Sequence, residues 1–428
     1  MTLQCVAMFF SSRSFTPNRP LLAGLVGVML AASVAAQEWP QWGGPDRNFT
    51  LPARALATSW PDGGPPREWA QRLGPGHSGI VVSGGTLYTS YRDGQKEVLV
   101  AHHAASGGFK WRHELPAKLW KGFNPQFGSG PHSTPLVSDG RIFVVSVRAL
   151  VVCLRASDGE VIWSHDLWQQ HQAEPTDRGY ASSPLAYSGT VIVPAAGRGL
   201  VALDAASGEV RWKNLELPNN AFSSPIIAEI GGRDQLIAFL GAEVAGVDPE
   251  NGRVLWRHPH RTEYNINAMT PLVGEDGLVF VSSAYDGGSR ALQVVAGAGD
   301  ATVEELWHDR RLQIHHGTAV RIGETIIGSS GDFGPAFLMG VDARTGEVRF
   351  KTRGFAKANV LRVGDALLIL DEDGVLALAG LSGDDLVIRA RAQILSPRSW
   401  TAPTLVGTTL FLRDQKEIVA LDLGLHAP

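Results

Sequence analysis

Cysteine is nearly absent from this chain, which has 2 cysteines in 428 residues. Cys5 precedes an apolar N-terminal stretch, and Cys153 lies in the apolar run 150–154. An exported chain that loses Cys5 with its leader keeps one thiol and forms no internal disulfide. We therefore expect Cys153 to be a buried, inert thiol.

Strong charge and long amphipathic helical patterns are also missing. The formal net charge is −4 at pH 7, so no basic field favours nucleic acid or an anionic membrane as a partner. The sequence Gly76-His77-Ser78-Gly79 lacks one residue of the nucleophile-elbow spacing, and no glycine-rich loop precedes a helix. The chain thus gives no support to serine-nucleophile or phosphate-cradling chemistry.

Turn residues are abundant instead, with 49 Gly and 25 Pro, and one hairpin phrase recurs. Its core is Gly-Glu-Val followed closely by an aromatic residue. Copies lie at residues 157–163, 205–212, 250–256 and 344–350, with a weaker copy at 106–111. The glycines at 107, 159, 208 and 252 are 44 to 52 residues apart. A self-similar period of this length, made of short strands, predicts the blades of a β-propeller.

Each part of the phrase has a physical role. Asp204, Asp248 and Asp342 lie four residues before the glycine, where a carboxylate accepts hydrogen bonds from turn amides. The glycine takes the positive φ that a tight hairpin requires. The closing aromatic is large enough to fill the gap between adjacent twisted sheets. The predicted docking residues are Trp69, Trp111, Trp163, Trp212, Trp256, Trp307 and Phe350.

A second phrase gives the number of blades. It is a small polar residue, often followed by Pro, that opens an apolar strand, a turn and another strand. The eight copies begin at His77, His132, Ser182, Ser223, Met269, Gly317, Ala358 and Trp400. The sequence therefore predicts an all-β protein, an eight-bladed propeller of four-stranded antiparallel blades.

The two ends of the chain complement each other. The last repeat stops at 419–424 after its third strand, whereas residues 67–72 form a Trp-bearing strand with no hairpin before it. Pairing the two closes the ring and removes an open edge. We assign residues 1–36 to a signal peptide, 37–66 to an N-terminal extension packing on the propeller, 67–424 to the propeller and 425–428 to a tail.

The N-terminus reads as an export signal. An apolar core at 21–32 follows Arg13 and Arg19, and Val34-Ala35-Ala36 offers a cleavage site. No cysteine follows the core, so a lipid anchor is not expected. The predicted location is the periplasm or the extracellular medium, and the predicted state is a monomer without a transmembrane segment after cleavage.

The hairpins, the Ser-Ser-Pro strand starts and the segment Trp39-Pro40-Gln41-Trp42-Gly43-Gly44-Pro45 resemble the family of pyrroloquinoline-quinone-type (PQQ-like) propeller repeats. The resemblance covers roughly residues 38–424. The family contains quinone-dependent alcohol and sugar dehydrogenases. It also contains non-enzymatic propellers, such as the β-propeller subunit of the outer-membrane β-barrel assembly machinery. Fold alone does not choose between the two branches.

A quinone-dependent dehydrogenase would need particular residues in the sequence. By the resemblance, relatives that oxidise alcohols often carry two adjacent cysteines over the quinone, a calcium ion held by Glu, Asn and Asp, and an Asp base. This chain has no adjacent cysteine pair and is short for such an enzyme. Candidate oxygen ligands are Asn124, Asn219, Asn220, Asn265, Asn267 and Asp332. We expect no cofactor, and PQQ with Ca²⁺ only under the dehydrogenase alternative.

Histidines mark the starts of several inner strands. His77, His132 and His316 should face one mouth of the central channel, with His315, Lys357 and Trp400 as neighbours. Such a cluster suits zinc or copper if the ring nitrogens share a point. A wider spacing leaves a polar funnel for a peptide or small solute, and the Lys357 ammonium favours the funnel. The alternative interpretation is that each blade places a polar residue at the channel mouth and that three of these residues are His by chance.

Long loops supply the remaining candidates. The loops 115–130 and 165–181, with a third at 257–267, carry exposed-type aromatics that suit a recognition surface. The candidate partner-binding residues are Trp120, Phe123, Phe127, Trp168, Tyr180 and Tyr264. The alternative is that they pack onto the blade tops. The resulting prediction is an exported, non-catalytic binding or scaffold protein for a protein or small-solute partner. The alternatives are a PQQ-dependent dehydrogenase and a solute or metal site at the channel mouth.

Overall fold

The computed structural model describes residues 38–171, 175–218, 222–297, 300–331 and 336–425. The predicted signal peptide, the candidate ligands Asn219, Asn220 and Asp332, and most of the predicted tail lie outside these ranges. Two short strands come first, β1 (Thr50–Leu51) and β2 (Arg67–Arg72). The sheets that follow are numbered as blades in chain order.

The first four blades are regular antiparallel meanders. Blade 1 contains β3 (Val81–Ser83), β4 (Thr86–Asp93), β5 (Lys96–His103) and β6 (Phe109–Pro116). Blade 2 contains β7 (Leu136–Ser138), β8 (Arg141–Val145), β9 (Leu150–Arg155) and β10 (Val161–Asp166). Blade 3 contains β11 (Leu185–Tyr187), β12 (Thr190–Pro194), β13 (Leu200–Asp204) and β14 (Val210–Asn214). Blade 4 contains β15 (Ile226–Glu229), β16 (Asp234–Phe239), β17 (Glu243–Val247) and β18 (Val254–Pro259).

The second half repeats this plan up to the last blade. Blade 5 contains β19 (Leu272–Val273), β20 (Leu278–Ser283), β21 (Gly288–Ala296) and β22 (Ala301–Asp309). Blade 6 contains β23 (Ala319–Ile322), β24 (Thr325–Ser330), β25 (Phe337–Asp342) and β26 (Val348–Arg353). Blade 7 contains β27 (Asn359–Val363), β28 (Ala366–Leu370), β29 (Val375–Ser382) and β30 (Asp385–Gln393). Blade 8 begins with β31 (Thr404–Val406), β32 (Thr409–Arg413) and β33 (Glu417–Asp422).

The N-terminal strand completes blade 8. Strand β2 pairs antiparallel with β33, and Trp69 lies opposite Ala420. The predicted eight-bladed all-β propeller and its closure by residues 67–72 are therefore confirmed. Within the described ranges, helix is limited to α1 (Leu167–His171) and a 3₁₀ turn at Pro125–Phe127. Among the described residues, no helix has the length and apolar character needed to cross a membrane.

The hairpin phrase locks neighbouring blades together. Trp163 of blade 2 donates from Nε1 to the carbonyl of Ala205 in blade 3 at 3.2 Å. Its indole covers the hairpin glycine Gly208, where φ is 76° and an added methyl group would lie 2.6 Å from the ring. Asp204 accepts hydrogen bonds from the amides of Ala206 and Ser207. The same indole-to-carbonyl bond is made by Trp69, Trp111, Trp212 and Trp307.

Two of the predicted docking aromatics pack differently. Trp256 donates to Gln235 Oε1 of its own blade at 2.8 Å, and Phe350 contacts Gly340 of its own blade. In the blades that follow them, 5 and 7, the two outer strands pair over longer ladders, β21–β22 and β29–β30. Both rings still lie in hydrophobic clusters shared with the next blade.

The small polar residues that open the inner strands have a clear role. They form hydrogen bonds from blade to blade around the channel. The Oγ of Ser183 accepts from the amide of Thr134 at 3.0 Å. The Oγ of Ser224 accepts in turn from the amide of Ser183 at 2.9 Å. The ring therefore satisfies backbone donors that have no ladder partner at the channel wall.

Candidate functional site

The N-terminal segment 38–51 crosses the inner strands and enters the channel. Trp39 bridges to Val82 of blade 1, and β1 pairs in parallel with β27 of blade 7. Between them, Trp42 donates to Thr270 Oγ1 at 2.8 Å. The segment therefore contacts opposite sides of the ring, in blades 1, 5 and 7.

Arg47 fixes this segment from inside the channel. It is 2% exposed and donates to the carbonyls of Ser183, Pro184 and Pro225. Burial lowers the pKa of Arg47 to about 9. A buried guanidinium is tolerated because backbone carbonyl oxygens of two blades accept its hydrogen bonds.

Above this segment, the channel forms a blind cavity of about 180 Å³. Its walls come from the inner-strand starts of seven blades and the loops above them, and Trp42 also lines it. The lining includes His77, Phe127, His132, Arg178, Ser183, Phe222, Ser224, Ile266, Ala268, Tyr285, His315, His316 and Trp400. The predicted channel-mouth residues His77, His132, His315, His316 and Trp400 thus share one cavity.

Trp400 is the centre of the ring contacts in this cavity. Its indole centroid lies 5.0 Å from that of His77 and 4.8 Å from that of His316. His77 and His132 stack nearly parallel at 5.7 Å. Among the described residues, no three His, Cys, Asp or Glu side chains are grouped to hold a metal ion.

Both ring nitrogens of His77 are engaged by the protein. Nε2 lies 3.0 Å from the carbonyl of Phe127, so it carries the proton. Nδ1 then accepts from Gln415 Nε2 at 3.2 Å. His77 is therefore part of the wall and has no nitrogen lone pair left for a metal.

Three of the cavity imidazoles, those of His77, His132 and His316, are neutral at pH 7. Burial, helped by the neighbouring His132 and Arg413, lowers the pKa of His77 to about 3. Burial and the charges of Arg92 and Arg178 lower the pKa of His132 to about 4. Burial also lowers the pKa of His316 well below its usual value. These three imidazoles therefore contribute aromatic, uncharged surface to the cavity wall, beside the charged Arg178.

Lys357 does not line the cavity. Its ammonium pairs with Glu372 Oε2 at 3.3 Å and lies 5.7 Å from the Trp400 ring centroid. Glu372 also accepts from Trp400 Nε1 at 3.0 Å. Lys357 and Glu372 thus hold the indole in place from behind.

The candidate aromatics of the long loops lie in four different environments. Trp120 makes edge-to-face contacts with Phe123 at 5.1 Å and Trp168 at 4.9 Å, and all three are half-buried. Arg148 lies over both indoles, at 6.0 and 5.3 Å. Phe127 lines the cavity. We call Trp120, Phe123, Trp168 and Arg148 the loop cluster.

The other two aromatics differ in exposure. Tyr180 is 6% exposed, because its loop folds down onto Val147 and buries the ring. It therefore offers no binding surface, which corrects the expectation from the sequence. Tyr264 is 59% exposed and packs edge-to-face on Tyr285 at the cavity wall.

Sequence reasoning missed several lining residues. Trp42 had a signal, since it belongs to the segment 39–45 that carries the family resemblance. Arg178, Phe222 and Tyr285 lie in loops or turns without a repeat, so nothing in the sequence marked them. Tyr285 has a φ of 52°, a conformation that costs free energy for a bulky residue and that clusters at functional sites.

A family model described as outer membrane protein assembly factor BamB (PQQ_2) matches residues 96–352, more than half of the chain. The chain belongs to this BamB (PQQ_2) family. No curated protein matches the sequence significantly. The family assignment confirms the resemblance to PQQ-like propellers.

Solved structures of BamB and of quinone enzymes share the fold. BamB from Moraxella catarrhalis is 16% identical, with 85% of this chain and 99% of that chain covered at a TM-score of 0.61. Quinohemoprotein alcohol dehydrogenase ADHIIG from Pseudomonas putida HK5 is 12% identical, with 92% and 81% covered at 0.54. The quinohemoprotein alcohol dehydrogenase of Comamonas testosteroni is 11% identical, with the same coverage, at 0.50. At these identities the likeness shows the fold alone.

The described cavity residues do not fit PQQ with calcium. The described lining contains no carboxylate or carboxamide side chain, whereas Ca²⁺ takes six to eight oxygen ligands. Asn267 is committed elsewhere, since it donates to the Leu240 carbonyl and accepts from Ser283. Asn124 caps the 3₁₀ turn by accepting from the Gln126 amide. We therefore derive no quinone-dependent step.

Proposed function

We propose that this protein is an exported, non-catalytic binding protein that holds a partner polypeptide on its loop face and takes part in outer-membrane protein assembly. The loop face is the side of the propeller where the loops from each outer strand to the next inner strand lie. It carries the loop cluster, Tyr264 and the mouth of the cavity. The proposed process, outer-membrane protein assembly, comes from the description of the family. The proposed mode of action, binding of a polypeptide, comes from the loop face.

The loop cluster is the observation that supports this proposal. Two indoles and a phenyl ring are held in fixed edge-to-face contacts, yet each stays half-buried. Arg148 stacks on the indoles and donates to the Lys118 carbonyl at 2.7 Å. Tryptophan and arginine in rigid, pre-arranged positions are the residue types that dominate binding energy at protein interfaces. A scaffold that orders them in the free protein lowers the entropy lost on binding.

The charges of the cavity favour binding over catalysis. General acid–base chemistry needs a titrating group near neutral pH within reach of a substrate. The imidazoles His77, His132 and His316 have lowered pKa values. Glu97 has its pKa raised by burial to about 7, but it accepts from the Val147 amide and pairs with Arg92. It does not line the cavity.

Site-specific photo-crosslinking in cells tests the proposal. A photoreactive phenylalanine analogue replaces Tyr264, which is 59% exposed on the loop face, or Phe109, which is 62% exposed at the hairpin end of blade 1. We expect a discrete crosslinked product at position 264, containing an outer-membrane assembly component, and none at position 109.

The loop cluster is then tested with the purified partner. Trp120→Ala and Trp168→Ala should each weaken its binding by roughly tenfold or more, the usual effect of truncating a tryptophan hot spot. Identical products at positions 264 and 109, or affinities unchanged by both substitutions, would contradict the proposal.

A further inference from the structure

We propose that the central cavity is a binding site for a small, single-ring aromatic carboxylate, with the ring against Trp400 and the carboxylate on Arg178. This inference goes beyond the proposed function, because it needs no polypeptide partner. It depends on the size of the cavity, its ring contacts and two polar groups that point to a ligand.

The cavity has the size of one ring with a short acid chain. Its volume is about 180 Å³, and an apolar cavity of roughly 150 Å³ in another protein takes up benzene. Trp42 lines the cavity and is fixed by its bond to Thr270. Trp42 therefore bounds the cavity on the side of the N-terminal segment.

The walls favour an aromatic occupant. Trp400 and Phe127 have ring centroids 6.0 Å apart, and Tyr285 contacts His315 edge-to-face at 5.1 Å. Offset and edge-to-face ring contacts are favourable beyond the area that they bury. The backbone of Tyr285 is held at positive φ, so the wall is preformed rather than assembled on binding.

Arg178 supplies the charge for an anion. Its guanidinium lies 4.4 Å over the Phe127 ring centroid, and its buried Nη1 has no hydrogen-bond partner among the described residues. Nε pairs at 3.4 Å with Asp177, which is itself largely exposed. One side of the guanidinium is thus free to form the charge-assisted pair that arginine makes with carboxylates.

A second polar group is also left without a partner. The buried Nε2 of His316 has none within the described part of the chain, and the ring contacts Trp400. In the tautomer that carries its proton on Nε2, His316 donates to a ligand oxygen, and this recovers the free energy that the unsatisfied buried atom costs.

The surrounding charges have the sign that an anion needs. Arg398 lies 5.4 Å over the Trp400 ring centroid and donates to the carbonyl of Gln126 rather than to an acid. The carboxylates Asp177 and Glu372 are each paired with one cation, Arg178 and Lys357. Arg398 therefore adds a positive charge beyond these two pairs.

Calorimetric titration of the full-length exported protein tests the inference with defined probes. We expect 3-phenylpropanoate to bind one site with a Kd of about 0.1 mM, within reach of a ligand of this size. The uncharged 3-phenylpropanamide should bind at least tenfold more weakly, because it cannot form the charged pair with Arg178. PQQ, a three-ring tricarboxylate, should bind more weakly than the single-ring acid.

Two variants separate the cavity from the rest of the loop face. Arg178→Gln should abolish the difference between acid and amide, whereas Arg148→Gln, in the loop cluster, should leave both affinities unchanged. Thermal melts should show that both variants are folded. The inference is overturned if the amide binds as tightly as the acid, if Arg178→Gln has no effect, if PQQ binds more tightly, or if no probe binds below ~10 mM. None of these results bears on the crosslinking experiment, so the two proposals fail separately.

Discussion

The indole of Trp111 in blade 1 lies directly against Gly159 in the hairpin of blade 2. A methyl group added at Gly159 would lie 2.6 Å from the indole, and Trp111 Nε1 donates to the carbonyl of Ala156 at 3.2 Å. Two independent reasons require glycine at position 159: its φ is 75°, and the indole leaves no room for a Cβ atom. The repeated Gly and Trp are thus the two halves of one contact between consecutive blades.

Replacing this glycine should destabilise the propeller more than its φ alone explains. We expect Gly159→Ala to lower the free energy of unfolding by ~2–4 kcal/mol, from left-handed backbone strain and the clash with Trp111. Gly140, in the same blade, has a φ of 71° and nothing within 4 Å. Gly140→Ala should therefore lose only ~1 kcal/mol. Equal losses in urea unfolding would show that the indole contact does not matter.

Removing the N-terminal segment should weaken the whole ring. A chain that starts at residue 73 lacks the outer strand of blade 8 and the segment that carries Arg47. We expect its Tm to fall by at least ~10 °C or its unfolding to lose cooperativity. A chain that starts at residue 38 keeps both features and serves as the control. Matching melting curves for the two chains would contradict this prediction.

Acid should destabilise the protein through the cavity histidines. The pKa of His132 is about 4 in the folded protein and about 6.5 when unfolded. Between these values the unfolded chain binds more protons, so stability falls as the pH drops from about 6.5 toward 4. Glu97 acts in the opposite direction, because burial raises its pKa to about 7 and the folded form then takes up the proton first.

The variant His132→Gln isolates the contribution of one ring. Between pH 7.5 and pH 5.0, its loss of unfolding free energy should be roughly 1–2 kcal/mol smaller than that of the unmodified protein. Urea unfolding at the two pH values measures this difference. Parallel losses in both proteins would mean that His132 takes up its proton equally easily in the folded state.

Zinc and copper should not bind tightly at the cavity. His77 has both nitrogens engaged, and Arg178 lines the same cavity, so a metal cation would meet a positive charge. Calorimetric titration of the protein and of His132→Ala should give no stoichiometric micromolar binding. Micromolar binding that disappears in His132→Ala would establish a metal site instead.

The blade architecture could be predicted because it is encoded locally and repeatedly. The residues that make one hairpin contact lie within nine positions of each other, as Asp204, Gly208 and Trp212 do. Their mutual contacts recur in the next copy. The fourth strand of blade 8 could also be predicted, because the last repeat ends after three strands and therefore needs a strand from elsewhere in the chain.

The cavity could be predicted only in part. The histidines were found because they occupy a repeat position at the start of the inner strands. Arg47 and Arg178 were not, since their roles depend on contacts that no periodic pattern records. Arg47 reaches carbonyls 136 to 178 residues away. The fate of each loop aromatic likewise depended on how two irregular segments pack, as the burial of Tyr180 beside the exposure of Tyr264 shows.

The pairing of β2 with β33 also means that the ring cannot close until the end of the propeller has been synthesised. Arg67 and Glu417, whose side chains form a hydrogen bond across this pair at 3.5 Å, are 350 residues apart. At roughly 5–20 residues per second, the first strand waits about 20–70 s for its partner to be made. Until then the growing chain is an open crescent with two unpaired edges, and only its last few dozen residues turn it into a closed ring. A chain truncated shortly before β33 would therefore keep seven intact blades and still expose the edges that invite aggregation.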